Sequence, residues 1–489
     1  MNREFNYRLV LRVMGSLLFV ESIVLLAICI IPLIYRENDA SYFLASSIIS
    51  SIFAGMALLL GRNPKPTIGK REGSVIVTFT WILFTLFGLL PFWLSGSIPS
   101  FTDAFFETIS GFTTTGASIL NNIEELSHGM LFWRSVTHWM GGLGIIVISL
   151  AVLPMFGVSG TQLFAAESSG PTKDKIHPKI NETAKRLFYI YIALTLAETI
   201  MLRIGGMIWF DAICHSFATI ATGGFSTKQA SIGYWNSGYI QYVIILFMIL
   251  SGINFSLFYF GIKNKWDKIR HNEELRYYLI VLFFFAIIVT LSLIDFTKVQ
   301  SLQTLEQAWR DALFTVSSLM TTTGFCTADY MLWKPLTWVI LLIIMLTGAS
   351  AGSTSGAIKM IRVVISAKAI YFEFKRMIHP NAVFPVRYSN HVVREDIVTR
   401  VLAFTLLYLV IAALGIMVLA ISGMGFLESV GGLITCLGGV GPGLGLVGPS
   451  GNFAYIPEFS KWFLSFIMLV GRLELFTVLL LFTPAFWKS

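Results

Sequence analysis

Long apolar runs separated by short polar and basic segments dominate the pattern of this chain. Roughly ten runs reach the ~20 residues that a helix needs to cross a hydrocarbon core. They lie near 8 to 35, 41 to 61, 74 to 95, 130 to 153, 186 to 206, 238 to 262, 276 to 296, 336 to 365 with an interruption, 397 to 421 and 459 to 486. Between alternate runs stand four shorter segments, beginning at Asp103, Asp211, Asp311 and Glu428. About 10 residues of helix at about 1.5 Å each cover only half of a core of about 30 Å, which predicts re-entrant helices rather than spans.

Aligned on their acids, the short segments read DAFFETISGFTTTGAS, DAICHSFATIATGGFS, DALFTVSSLMTTTGFC and ESVGGLITCLGGVGPG, and in each a glycine follows 13 residues after the acid: Gly116, Gly224, Gly324 and Gly441. The coincidence predicts four copies of span, half-helix, glycine loop and span. The expected fold is an all-α polytopic membrane protein. Two extra helices occupy 1–72 and four repeats occupy 73–170, 171–270, 271–380 (its second span broken) and 381–489, arranged about a pseudo-fourfold pore.

Non-helical backbone at membrane depth needs protein or water around it, so four such loops satisfy one another best by lining a pore. Glycine lets carbonyls turn inward and threonine adds hydroxyl oxygens on a stiff side chain, which suits a dehydrated monovalent cation. The candidate ligands are Thr114, Thr115, Gly116, Thr222, Gly223, Gly224, Thr322, Thr323, Gly324, Gly439, Val440 and Gly441. Half-helix C-termini aim negative dipole ends at the cavity, and the acids complement the opposite ends; the plainer reading gives the acids no further role.

Composition agrees with a chain dissolved in lipid. Of 489 residues 55% are hydrophobic and only 13% charged, and the mean hydropathy is +0.74, more apolar surface than one soluble core buries. Most of the 35 basic residues fall in the segments 1 to 12, 62 to 72, 157 to 187, 262 to 276 and 359 to 400, which predicts that these and both termini are cytoplasmic. The net charge of +8 thus follows from topology, and no nucleic-acid partner is expected. The basic start precedes an apolar run too long for a cleaved signal, so the first helix is expected to be retained. Cys29, Cys214, Cys326 and Cys436 form no CxxC pair and are expected as free thiols.

The motifs TTTGAS, ATGGFST, TTTGFCT, GPGLG, GASAGSTSGAIK (348–359) and GRLELFT (471–477) resemble the Trk/Ktr/HKT superfamily of potassium transporters, in its TrkH-type bacterial branch, over nearly the whole chain. The resemblance implies potassium as the permeant ion, a homodimer with one pore per protomer in the cytoplasmic (inner) membrane, surrounded by lipid, and control by a cytoplasmic nucleotide-binding regulatory ring on a separate polypeptide. It makes glycine at all four filter positions a mark of potassium preference. The fourth loop reads LGGVGPG, where the family pattern favours asparagine at Gly438 or Gly439. No organic cofactor is implied.

Two further features carry competing readings. Gly348, Ala349, Ser350, Ala351, Gly352, Ser353, Thr354, Ser355 and Gly356 interrupt the eighth span. They form either a small-residue packing seam or, as the resemblance implies, a pore-plugging gate ending at Lys359. Arg472, placed near the middle of the last span, either pairs with Glu474 or Glu198 or, as the resemblance implies, stands below the filter as a barrier to cations. GLGLVG at 443–448 lacks a preceding strand and is not expected to bind a dinucleotide. Ser159 with His138 is a poor hydrolase pair because the topology separates them. His215 is expected to be packed rather than a ligand, and the N-E-T at Asn181 is expected to be cytoplasmic and unglycosylated. A non-enzymatic, channel-like conductor leads. A proton- or sodium-coupled symporter stands second, though Glu21, Glu198 and Glu474 are few for a coupled carrier.

Overall fold

The structure, a computed structural model, describes residues 5–64, 69–151, 177–294, 301–389 and 391–488. It is helical almost throughout; the one sheet among the described residues is a hairpin pairing Arg387–Tyr388 with His391–Val392. The first run is two helices, Tyr7–Ile28 and Ile30–Tyr35, because Pro32 has no N–H to offer the carbonyl of Ile28. Pro91 breaks the run Lys70–Gly88 from Leu90–Leu94 in the same way. Ala40–Leu60 lies along the first helix, with Gly15 against Ala54 and Ala57 and Gly61 against the backbone of Arg12. Small residues let these backbones approach where lipid gives apolar surfaces no reason to associate.

Among the described residues six helices are long and apolar enough to cross a membrane, eight if two bent pairs each count as one span. The other two expected spans are His128–Ala151, which runs up to undescribed residues, and the interrupted pair Pro335–Leu346 and Met360–Ile378. Leu59, Ile204, Leu406 and Ile421 point outward, as a lipid-facing belt requires. The chain is a multi-pass membrane protein.

Three expectations need correction. The run 238 to 262 is not straight: Gly238–Ser251 and Phe255–Ile262 meet at 94°, the second helix being started by Asn254, whose Oδ1 accepts the Ser256 N–H at 2.9 Å. The run 459 to 486 bends by 111° at Glu474 and Leu475, whose φ values are 58° and 47°. Arg472 is accordingly the last residue of Glu458–Arg472 and sits at the bend, not mid-span. The third short helix is 19 residues, Leu302–Met320, rather than about 10. Its extra turns are capped by Ser301, which accepts the Thr304 N–H at 3.1 Å, and are largely exposed. The other three, Phe101–Phe112, Trp209–Ile220 and Phe426–Gly438, have 12, 12 and 13 residues.

Candidate ion pathway

The four short helices end alike. In each, one residue just past the last turn is left-handed: Thr114 (φ 52°), Thr222 (55°), Thr322 (58°) and Gly439 (68°). The next N–H bonds back five residues: Thr115 to Ser110 O at 2.9 Å, Gly223 to Ala218 O at 2.8 Å, Thr323 to Ser318 O at 2.8 Å and Val440 to Thr435 O at 2.9 Å. This is a Schellman cap, normally built on glycine. Three threonines hold it here, at about 1–2 kcal/mol of backbone strain each, and strain of that kind is kept where the surroundings enforce it.

One residue further on, Gly116, Gly224, Gly324 and Gly441 have φ of 82°, 80°, 84° and 102°. Where Gly116 would carry a β-carbon stands the carbonyl oxygen of Gly223, and Gly224 meets that of Thr323 in the same way. Gly324 meets the oxygen of Val440, and a β-carbon on Gly441 would lie 2.9 Å from that of Thr115. Loop one thus touches loop two, two touches three, three touches four and four touches one, always through the carbonyl of the residue before the glycine. The ring closes, and any side chain larger than hydrogen would push a neighbour's carbonyl out of it.

Backbone carbonyls are the principal oxygens the ring offers. The hydroxyls of Thr115 and Thr323 bond to those of Thr113 and Thr321, each at 2.8 Å, and Thr222 Oγ1 donates to Ala221 O at 2.6 Å. On one side, a cavity of ≈ 90 Å³ has all four ring glycines in its wall.

On the other side lies the interrupted span. Helix stops at Leu346 and resumes at Met360, so the break is wider than 348–356. Thr354 Oγ1 donates to Ile220 O at 3.0 Å, the Ala357 N–H to Gly438 O at 2.9 Å, and the Gly356 N–H to Thr322 Oγ1 at 2.7 Å. The segment therefore covers the carbonyl ends of the second and fourth short helices and touches the third loop, satisfying acceptors a helix C-terminus leaves open. Glu274 Oε1 pins it from behind, accepting the Ala351 N–H at 2.7 Å and the Ile361 N–H at 3.1 Å. Lys359 Nζ bonds to Ser355. Gly352 (φ 75°) packs on the Asn254 side chain, and Gly348 leaves room for the carbonyl of Gly356.

Arg472 donates to Thr354 O at 2.8 Å and to Gly141 O at 3.1 Å. The alternative pairing with Glu474 is not formed, because Glu474 pairs with Arg362 at 2.5 Å. Glu198 is fully buried and makes no ion pair among the described residues.

The leading acids have partners of their own. Asp211 accepts from Thr227 Oγ1 at 2.7 Å, Asp311 from Thr327 Oγ1 at 3.4 Å and Glu428 from the Leu446 N–H at 3.2 Å, while Asp103 pairs with Lys461 at 2.6 Å. Asp211 and Glu428 thus tie the first turn of a short helix to the loop leaving it, whereas Asp311, expected at a helix start, makes its contact from the middle of the 19-residue helix. His215 is packed, its Nδ1 on Asp211 O and its Nε2 on Ser226 Oγ. His138 Nδ1 bonds to Gly111 O at 2.7 Å, and Ser159 lies outside the described residues. The four cysteines are free. Among the described residues no group of three or more His, Cys, Asp or Glu side chains could hold a metal ion.

Sequence reasoning passed over Glu107 and Arg134, a buried pair 2.8 Å apart beside the ring, and Glu274. A signal existed, since each is a charge inside or at the end of an apolar helix.

Comparison with known proteins agrees with this architecture. Residues 40–489 match the family profile of TrkH, described as a cation transport protein. The chain is 39% identical to the Trk system potassium uptake protein TrkH of Escherichia coli K12 over 489 residues, 99% of this chain and 100% of that one. It is 33% identical to TrkG of the same organism, with 99% of each covered. The crystal structure of the potassium transporter TrkH from Vibrio parahaemolyticus superposes with a TM-score of 0.91 at 34% identity, covering 99% of this chain and 100% of that one. A profile match over most of the chain, full-length identity above 30% and a shared fold place it plainly: the chain belongs to the TrkH family of cation transport proteins.

Proposed function

We propose that this chain is a potassium uptake subunit that conducts potassium through its ring of four loops. The observation that carries the reading is the closed ring itself: four equivalent carbonyls, from Thr115, Gly223, Thr323 and Val440, each seated against the next loop's glycine. A cation that sheds its water needs such a cage. The names of the relatives, potassium uptake proteins of the Trk system, support potassium as the substrate. In this reading the segment 348–356, with Lys359 and Arg472, is the gate that closes the path below the ring. The basic segments face the cytoplasm, the protein resides in the inner membrane as a homodimer, and a cytoplasmic nucleotide-binding ring on another polypeptide moves the gate. The word "system" in the relatives' names fits a multi-component assembly.

A second reading, potassium symport coupled to protons or sodium, is favoured by Glu21 and Glu198, which are fully buried in apolar helices and make no ion pair among the described residues. One measurement decides. In proteoliposomes, the reversal potential is read under a potassium gradient and then under an added proton or sodium gradient. Conduction predicts a potential that follows potassium alone; a shift on adding the second gradient establishes coupling; no potassium-dependent potential or flux at all overturns both.

A further inference from the structure

We infer that the filter is braced unevenly, and that Arg134 with Glu107 is a positioning pair that holds loops one and two and so sets discrimination between cations. The inference rests on the reading of the ring as a selectivity filter.

The repeat supplies the comparison. Four residues after the leading acid stand Glu107, His215, Thr315 and Gly432; two residues after the ring glycine stand Ser118, Ser226, Cys326 and Gly443. In the first repeat these positions bond to each other, Ser118 Oγ donating to Glu107 Oε1 at 3.0 Å, and the Ile119 N–H adds a bond to Oε2 at 2.9 Å. In the second repeat His215 Nε2 and Ser226 Oγ lie 2.9 Å apart. The third and fourth repeats use a neutral substitute three residues on: Ser318 Oγ donates to Phe325 O at 2.7 Å and Thr435 Oγ1 to Pro442 O at 3.1 Å.

Arg134 makes the first brace different in kind. Its Nε donates to Glu107 Oε1 at 2.9 Å, its Nη1 crosses to Ser226 O of loop two at 3.1 Å, and its guanidinium lies 4.0 Å over the ring of Phe225, the residue after Gly224. One planar fork thus grips the exits of two adjacent loops. The side chains of the pair are 2% and 0% exposed, and although Arg134 stands in the wall of the cavity beside the ring, Glu107 neutralises its charge, so its effect on ions runs through position. A buried pair of this kind resists losing either partner, since the remaining charge would stand alone in low dielectric. The ring carbonyls of Thr115 and Gly223 are three residues from these anchors. At the matching positions loops three and four have neutral hydroxyl bonds; single carboxylate contacts from Asp311 and Glu428 and the Tyr330 hydroxyl on Gly443 O hold them further out, but no buried ion pair grips them, and they are the half of the ring freer to adjust.

The test compares potassium-to-sodium permeability ratios from bi-ionic reversal potentials in proteoliposomes, with Tm measured on the same preparations. Arg134→Lys keeps the charge beside Glu107 but cannot also reach Ser226 O, so the ratio should fall about tenfold while Tm moves little. A folded Arg134→Lys protein with the parental ratio overturns the inference, whatever its Tm. Should that variant fail to fold, the double change Glu107→Gln with Arg134→Gln, which leaves no lone charge, carries the same expectation and the same refutation. Gly324→Ser separates this inference from the one beneath it. If it lowers the ratio and the Arg134 variants do not, the brace alone fails; if it too changes nothing, the ring is not the filter.

Discussion

Replacing Arg472 by alanine should open the pathway. The side chain holds Thr354 O of the interrupted segment at 2.8 Å and Gly141 O at 3.1 Å, and it is buried at the bend of the last span. A hydrogen bond from a charged donor contributes about 1.5–3 kcal/mol net. In the proposed gating, only the Thr354 bond belongs to the closed position of the segment, and its loss should shift the closed-to-open balance by roughly ten- to a hundredfold. The charge acts in the same direction. A cation ~5 Å from the guanidinium at an effective dielectric of ~20 is repelled by about 3 kcal/mol. Arg472→Ala removes both effects. Arg472→Lys keeps the charge and one donor and should change flux much less. The assay is potassium flux into proteoliposomes with no regulatory partner, alongside Tm and the position of the protein in gel filtration. A well-folded alanine variant with parental or lower flux would refute the reasoning. Equal gains from alanine and lysine would place the effect in the two-pronged grip and remove the barrier role.

Gly324→Ser should lower the potassium-to-sodium permeability ratio while leaving membrane insertion intact, because φ of 84° and the carbonyl of Val440 leave no space for a β-carbon; unchanged ratio and unchanged growth of a transport-deficient host on low potassium would refute it. Deleting Gly348 to Ser355 should raise flux without a partner, since the segment covers the ends of the second and fourth short helices; equal or lower flux from folded protein would favour a packing seam. Asp103→Asn should lower stability by about 1 kcal/mol through its half-buried pair with Lys461, with the permeability ratio unchanged; a changed ratio would give the acid a role in attracting ions.

By itself the sequence determined the membrane class and the four short acid-to-glycine segments that the structure ends alike. Those rest on periodic, local quantities: run length, the spacing of an acid and a glycine, and the few residue types that tolerate left-handed backbone. It also marked 348–356 and Arg472 as out of place in a span. It could not tell which carbonyl a glycine makes room for. The ring is made of contacts between Gly116 and Gly223, Gly224 and Thr323, Gly324 and Val440, and Gly441 and Thr115, across about 100 residues or more of chain in each case. Nor could it choose a partner for Arg472, since Glu474 was nearer in sequence and Arg362 claimed it in space. The bends of 94° and 111° hide inside runs whose hydropathy is unbroken, because lipid rewards apolar residues whether the helix axis turns or not. Hydropathy reads the solvent around each segment. Only the tertiary structure decides which segments meet, and the ring of four loops consists of those meetings.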